Sequence, residues 1–154
     1  MVESLSMNKQ ITGDDFFMRM CISEAEEAFK NGEIPSASII TLNGRIIGKG
    51  QNYVERNRDS TAHSEIIAIT SACSFLNYQY LDNATIYTII EPCLMCFGAI
   101  LNARISRLVY LVKEPKTGFS LFLSPSSFKI DIVRVDNEEL QRQVLWLLRR
   151  VFGR

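Results

Sequence analysis

The chain has little of what marks the more specialised classes of protein. It holds one histidine, one tryptophan, four prolines and four cysteines in 154 residues. Four cysteines at irregular spacing are too few for a disulfide framework, which favours a reducing, cytoplasmic setting. Its longest near-apolar run, Cys93 to Leu101, is far short of the ~20 residues needed to cross a bilayer, so no membrane partner is expected. Met1–Gln10 is polar and lacks the basic and apolar regions of a secretory signal. No internal repeat or low-complexity segment is present. Neither sign of charge is in excess, since 17 Lys/Arg balance 17 Asp/Glu, so bulk electrostatics gives no argument for a nucleic-acid partner.

What is present is ordinary globular material. The residues are 47% hydrophobic and 22% charged, which excludes a disordered chain, a collagen-like fibre and a coiled coil. A chain of this length is expected to form one domain over residues 1–154. The charges are unevenly placed. Residues 1–77 carry seven Lys/Arg against ten Asp/Glu, and residues 78–154 carry ten against seven. From Arg142 to Arg154 there are four arginines and no acid. Such a run suits a solvated helix end, where cations meet the macrodipole, or else a patch for phosphates.

Apolar spacing organises the chain. Thr12 is expected to cap a helix, with Phe17, Met18, Cys21, Ile22, Ala25, Ala28 and Phe29 on one face and Asn31-Gly32 as its stop. Asn43-Gly44 between Ser38–Leu42 and Arg45–Gly48 is a strong hairpin signal. Residues 49–61 read as loop, and residues 62–77 as helix. Residues 84–90 read as a buried strand, residues 93–104 as helix and residues 107–112 as strand. Residues 113–127 read as a long loop with a short apolar insert, followed by a strand over residues 129–135 and an amphipathic helix over residues 138–152. This order implies helices packed on a five-stranded mixed sheet, an α/β sandwich.

Two segments carry chemistry. One is Thr61-Ala62-His63-Ser64-Glu65 at an expected helix start, and the other is Glu91-Pro92-Cys93-Leu94-Met95-Cys96, where a strand gives way to a helix. Imidazole and thiolate are zinc ligands in type, and a helix N-terminus favours the thiolate. Cys73 lies ten residues beyond His63 on the same expected helix, ~15 Å along its axis, too far to share a metal. Cys21 falls on an apolar helix face and reads as a core thiol. His63, Cys93 and Cys96 remain, and three protein ligands with a fourth position for water is the catalytic arrangement. Glu65 is the candidate proton shuttle. On an ideal helix it is turned ~200° from His63, so the two converge only if His63 stands at the very start of that helix. Taken alone, the Cys-x-x-Cys pair also fits a thioredoxin-like redox site.

His-x-Glu followed by Pro-Cys-x-x-Cys resembles the signature of the zinc-dependent nucleoside and nucleobase deaminases. Within that family the chain resembles the tRNA adenosine deaminases over a core of about residues 14–152. Gly32-Glu33-Ile34-Pro35 resembles their Gly-Glu-Val-Pro, and Gly50-Gln51-Asn52 the segment with their substrate-holding Asn. Residues 59–65 resemble D-P-T-A-H-A-E with Ser60 and Ser64 as departures, and Lys116-Thr117-Gly118 matches K-T-G. Ser36-Ala37-Ser38 replaces a typical Val-Gly-Ala stretch, Glu114 stands where an Asp is common, and Phe119–Leu123 replaces small residues.

The resemblance implies a three-layer α/β/α sandwich of the cytidine-deaminase-like kind. It implies one zinc ion per chain on His63, Cys93 and Cys96, with Glu65 as catalytic acid and base. It further implies substrate contacts from Asn52, Ile34, Pro35, Ser64, Pro92 and Glu114, and nucleic-acid contacts from Lys116, Arg149 and Arg150. The implied reaction is hydrolytic deamination of adenosine to inosine at the wobble position of a tRNA anticodon loop, by a homodimer. The alternatives are a deaminase of a free base or nucleoside, such as guanine or cytidine, and a non-catalytic RNA-binding module stabilised by zinc.

Overall fold

In the computed structural model the described residues are 2–152, with side chains from 13 onward. The sheet starts at the hairpin. Asn43 and Gly44 both take left-handed backbone, φ 53° and 77°, as a tight two-residue turn requires. Strands β1 (Ala37–Leu42) and β2 (Arg45–Gln51) pair antiparallel around it, with a register shift between Ile40 and Thr41. β1 also pairs antiparallel with β3 (Thr85–Ile90). β4 (Arg107–Val112) and β5 (Asp131–Arg134) then join in parallel, giving the mixed order β2-β1-β3-β4-β5.

Successive side chains of a strand point to opposite faces, so each central strand feeds two cores. Ile39, Tyr87, Val109 and Leu111 pack with Met18 and Cys21 of α1 (Val2–Lys30) and with Leu140 and Val144 of α5 (Glu138–Phe152). Ile40, Ile86 and Leu108 pack on the other face with Ala68 and Ala72 of α3 (Ser64–Leu76) and with Phe97 and Ile100 of α4 (Leu94–Asn102). The result is the expected three-layer α/β/α arrangement around a five-stranded mixed sheet.

α3 lies directly on the backbone of β2. A Cβ at Gly48 would come within 2.7 Å of the Ala68 carbonyl oxygen, and one at Gly50 within 2.3 Å of the Ser64 carbonyl oxygen. At the other end of the sheet, Arg107 holds Asp14 through two bonds of 2.9 and 2.7 Å, and the Tyr87 hydroxyl donates to the same carboxylate at 2.8 Å. This staple ties α1 to β3 and β4.

Several expectations are corrected. α1 runs unbroken from Val2, so Thr12 does not begin it; the Thr12 side chain lies outside the described ones. One Gly inside a helix costs only ~1 kcal/mol, and no proline precedes it here, so Gly13 is passed over. The supposed loop 49–61 holds the end of β2 and a single turn, α2 (Val54–Asn57). The last strand is shorter than expected. The apolar insert is not a plain loop, since two 3₁₀ turns, Phe119–Leu121 and Pro125–Ser127, fold it back. Phe119 is buried and stacks on Phe97 at 4.2 Å between ring centroids, which anchors the insert in the core.

Candidate metal centre and catalytic pocket

His63 and Cys93 occupy equivalent places, each the extended residue immediately before a helix (His63 φ −68°, ψ 155°; Cys93 φ −73°, ψ 173°). Cys96 sits in the first turn of α4. The two helix starts face each other, with His63 Nδ1 3.6 Å from Cys93 Sγ and 3.5 Å from Cys96 Sγ. All three donor atoms lie within 4.8 Å of one another. A tetrahedral zinc with bonds of ~2.0–2.3 Å separates its ligand atoms by ~3.5–3.8 Å, so this donor set fits that ion. Cys21 is buried in the core, as expected of an inert thiol.

The thiols are strongly coupled. A hydrogen bond from Cys96, helped by His63 and opposed by burial, pulls the Cys93 pKa down to about 4. The same bond, followed by burial, pushes Cys96 up. His63 is raised chiefly by its contact with Cys93. The Cys96 and His63 contacts thus favour the thiolate form of Cys93, which is the form that binds metal.

Because His63 is the cap and not a helical residue, Glu65 is only the second residue of α3 and escapes the ~200° separation of a regular helix. Its side chain is 5% exposed, and it lines one cavity of about 570 Å³ together with His63 and Cys93. Asn52 lines that cavity too. Its Oδ1 accepts the Val54 N–H at 3.0 Å, which assigns the amide orientation and leaves its NH₂ as a donor.

The sequence-expected contacts divide. Ile34, Glu114, Lys116 and Arg149 line the cavity, whereas Pro35, Ser64, Pro92 and Arg150 do not. Ser64 is wholly buried, donating to Glu65 Oε1 at 2.7 Å. Pro92 is buried, and its carbonyl accepts the Phe119 N–H at 2.9 Å. Arg150 lies over the rings of Trp146 and Phe29. Sequence reasoning missed Lys113 at the mouth and the stripe of Leu145, Leu148 and Phe152, which shares the Arg149 face of α5. Their helical spacing was visible, but not what the face would meet.

Two buried carboxylates shape the rim. Glu33 accepts the Glu55 and Arg56 N–H groups at 3.1 and 2.6 Å, and with Asn52 it satisfies the first three donors of α2. Glu91 accepts the Glu114 and Ser120 N–H groups at 3.3 and 2.9 Å, fastening both ends of the loop that carries Lys116. Gly118 touches this clamp, since a Cβ there would stand 2.5 Å from the Glu91 carboxylate.

A histidine and two cysteines on opposed helix starts, beside a buried glutamate, match the pattern of the deaminases in three dimensions as well as in sequence. The profile of the MafB19-like deaminase family matches residues 12–149. The chain belongs to this deaminase family. It is 37% identical over 134 residues to the tRNA-specific adenosine deaminase of Aquifex aeolicus, covering 87% of this chain and 83% of that one. A structure from a study of A-to-I editing by tRNA:A34 deaminases at the wobble position superposes with a TM-score of 0.73 at 35% identity, covering 79% of this chain and 98% of the other. The guanine deaminase of Bacillus subtilis gives a TM-score of 0.64 at 31% identity, covering 86% and 92%. Among the described residues of this deaminase, no helix is long and apolar enough to cross a membrane.

Proposed function

We propose that the chain is a deaminase domain that converts adenosine to inosine at the wobble position of a tRNA anticodon loop, consuming water and releasing ammonia. The observation that carries this reading is the buried Glu65 beside the His63, Cys93 and Cys96 donors, at a cavity whose mouth holds Lys113, Lys116 and Arg149. His63, Cys93 and Cys96 would hold one zinc ion per chain. The chemistry that ion supplies is activation of a water molecule as the nucleophile.

Glu65 accepts the first proton of the reacting water and passes it to the ring nitrogen beside the reacting carbon. It then takes the remaining proton of the added hydroxyl and passes it to the departing amino group, which leaves as ammonia while the carbon–oxygen double bond forms. The Asn52 NH₂ donates to an acceptor on the base, and Ile34 supplies apolar contact. Lys116 and Arg149, joined by Lys113, meet the phosphates on either side of an unstacked nucleotide. Glu114 lies where a ribose would pass, and its Oε1 accepts the Lys116 N–H at 2.7 Å. The homodimer implied by resemblance belongs to this reading, with exposed Leu94, Met95, Leu121 and Phe122 as apolar surface for it. A tRNA substrate is consistent with the cytoplasmic setting that the cysteine usage favours.

The relatives favour RNA over a free base, because the Aquifex aeolicus tRNA-specific adenosine deaminase is 37% identical to this chain and the guanine deaminase of Bacillus subtilis 31%. The test is incubation of the zinc-loaded protein with an anticodon hairpin, followed by nucleoside analysis. Inosine should form at the wobble position in native protein and fall ~10²–10⁴-fold in rate in Glu65→Ala, with zinc retained. Equal turnover of free adenosine or guanine would instead assign a small-molecule deaminase.

A further inference from the structure

The sequence departures Ser36, Ser38 and Ser64 lie far apart along the chain, yet they meet around the carboxylate of Glu65. Ser64 Oγ donates to Glu65 Oε1 at 2.7 Å and Thr88 Oγ1 donates to the same oxygen at 3.1 Å. Ser38 Oγ stands 2.9 Å from Ser64 Oγ, 3.0 Å from Thr88 Oγ1 and 3.3 Å from Oε1 itself. Ser36 Oγ lies 3.0 Å from Ser64 Oγ and belongs to a residue that lines the cavity. Ser38, Ser64 and Thr88 are wholly buried.

Proton accounting gives the cluster a direction. Each hydroxyl has one proton and can accept from others. Ser64 and Thr88 direct theirs to Oε1, which leaves Ser36 to donate to Ser64, and Ser38 to donate to Ser64, to Thr88 or to Oε1 itself. One chain runs from Ser36 through Ser64 to Glu65, and Ser38 ends on the same carboxylate by any of its three routes. Hydrogen bonds to an ionised group are shorter and stronger than neutral ones, and donors in series reinforce one another. Every hydroxyl bond to the carboxylate falls on Oε1, and none falls on Oε2.

We propose that Ser36, Ser38, Ser64 and Thr88 act as positioning residues for Glu65, committing Oε1 to the protein so that Oε2 faces the reacting water. This rests on the deaminase reading of the site. In a site without these hydroxyls a glutamate could rotate about its last bond and divide its time between orientations. Here the rotation is blocked by hydroxyls anchored on β1, β3 and α3.

The test uses the full chain with Ser64→Ala, Ser38→Ala and the double variant, with Ser64→Thr as the conservative control. Alanine suits the first turn of a helix and the buried Ser38 position is small, so folding and zinc content should match the native protein. Turnover of an anticodon hairpin should fall about tenfold in kcat for Ser64→Ala and less for Ser38→Ala, with KM unchanged and Ser64→Thr partly restored. The double variant should lose less than the product of the two, because both act through one oxygen. Crystal structures give a readout independent of substrate, with one Glu65 orientation in the native protein and more than one in the double variant. A single unchanged orientation, or a kcat within twofold of native, overturns the proposal. If native protein ignores the hairpin, the functional reading fails while the orientation result still decides the positioning role.

Discussion

His63, Glu65, Cys93 and Cys96 stand on helix starts, and the elements beneath them are clamped by backbone contact and buried hydrogen bonds. Lys113–Thr117 and the Leu145–Phe152 stripe stand on a loop and on an exposed helix face. The floor of the cavity is therefore made of regular structure and the rim of irregular or solvent-facing structure. Bond making needs donor atoms held to within about half an ångström, which packed elements supply. Choosing a substrate needs reach and charge, which loops and surface helices supply, and which can change without disturbing the core. The long Phe119–Leu123 departure illustrates the separation. It alters the loop beyond the rim, yet Phe119 simply stacks into the core on Phe97, and the floor is untouched.

The largest expected effect breaks the floor. Cys93→Ala removes the donor whose thiolate is most favoured and should lose the zinc, with activity falling to background. Metal analysis and hairpin turnover check this, and full zinc occupancy in that variant would refute the ligand set. A smaller effect tests whether the rim really depends on its clamp. Glu91→Gln turns one acceptor toward a backbone N–H as an amide donor, at a cost of about 1–3 kcal/mol. KM for the hairpin should rise about tenfold with kcat and zinc content nearly unchanged, measured by steady-state kinetics. A fall in kcat alone would place Glu91 in the floor.

The smallest effect separates neighbours in the rim. Arg149→Ala should weaken hairpin binding a few-fold and reduce the log–log salt slope by ~0.7, the value for one phosphate contact to a single strand. Arg150→Ala should leave both unchanged, because that guanidinium is turned toward Trp146. Titrations at several salt concentrations distinguish the two.

The same division governs what could be read from the sequence. The floor was legible because its residues fall within two short segments, and because one geometric condition, His63 at the helix start, made Glu65 usable. The hairpin, the central strands and α5 were legible from turn chemistry and apolar period. The rim was not. Arg149 and Arg150 look alike in a run of arginines, but successive helical residues point ~100° apart, so only one reaches the cavity. Glu33 and Glu91 stand within the sequence motifs, but their part as clamps could not be read there, because their partners are backbone N–H groups 22 to 29 positions away. Ser36, Ser38 and Ser64 were visible only as departures, since their meeting point depends on how β1 and α3 come together. The start of α1 was misplaced because Thr12 and the acids after it look like a cap even when the helix continues past them.

The close approach of α3 to β2 has a consequence for how this enzyme can be changed by mutation and selection. Positions 48 and 50 lie on the outermost strand and bear no side chain that could touch a substrate, so a library aimed at the pocket would leave them out. Any residue other than glycine there would lift the start of α3 away from the sheet, and His63 and Glu65 would move with it. In a saturation scan scored by turnover, the edge of the sheet would thus register among the least tolerant places in the chain. Substitutions around the mouth would trade one substrate for another, and those two glycines would decide whether there was any turnover to trade.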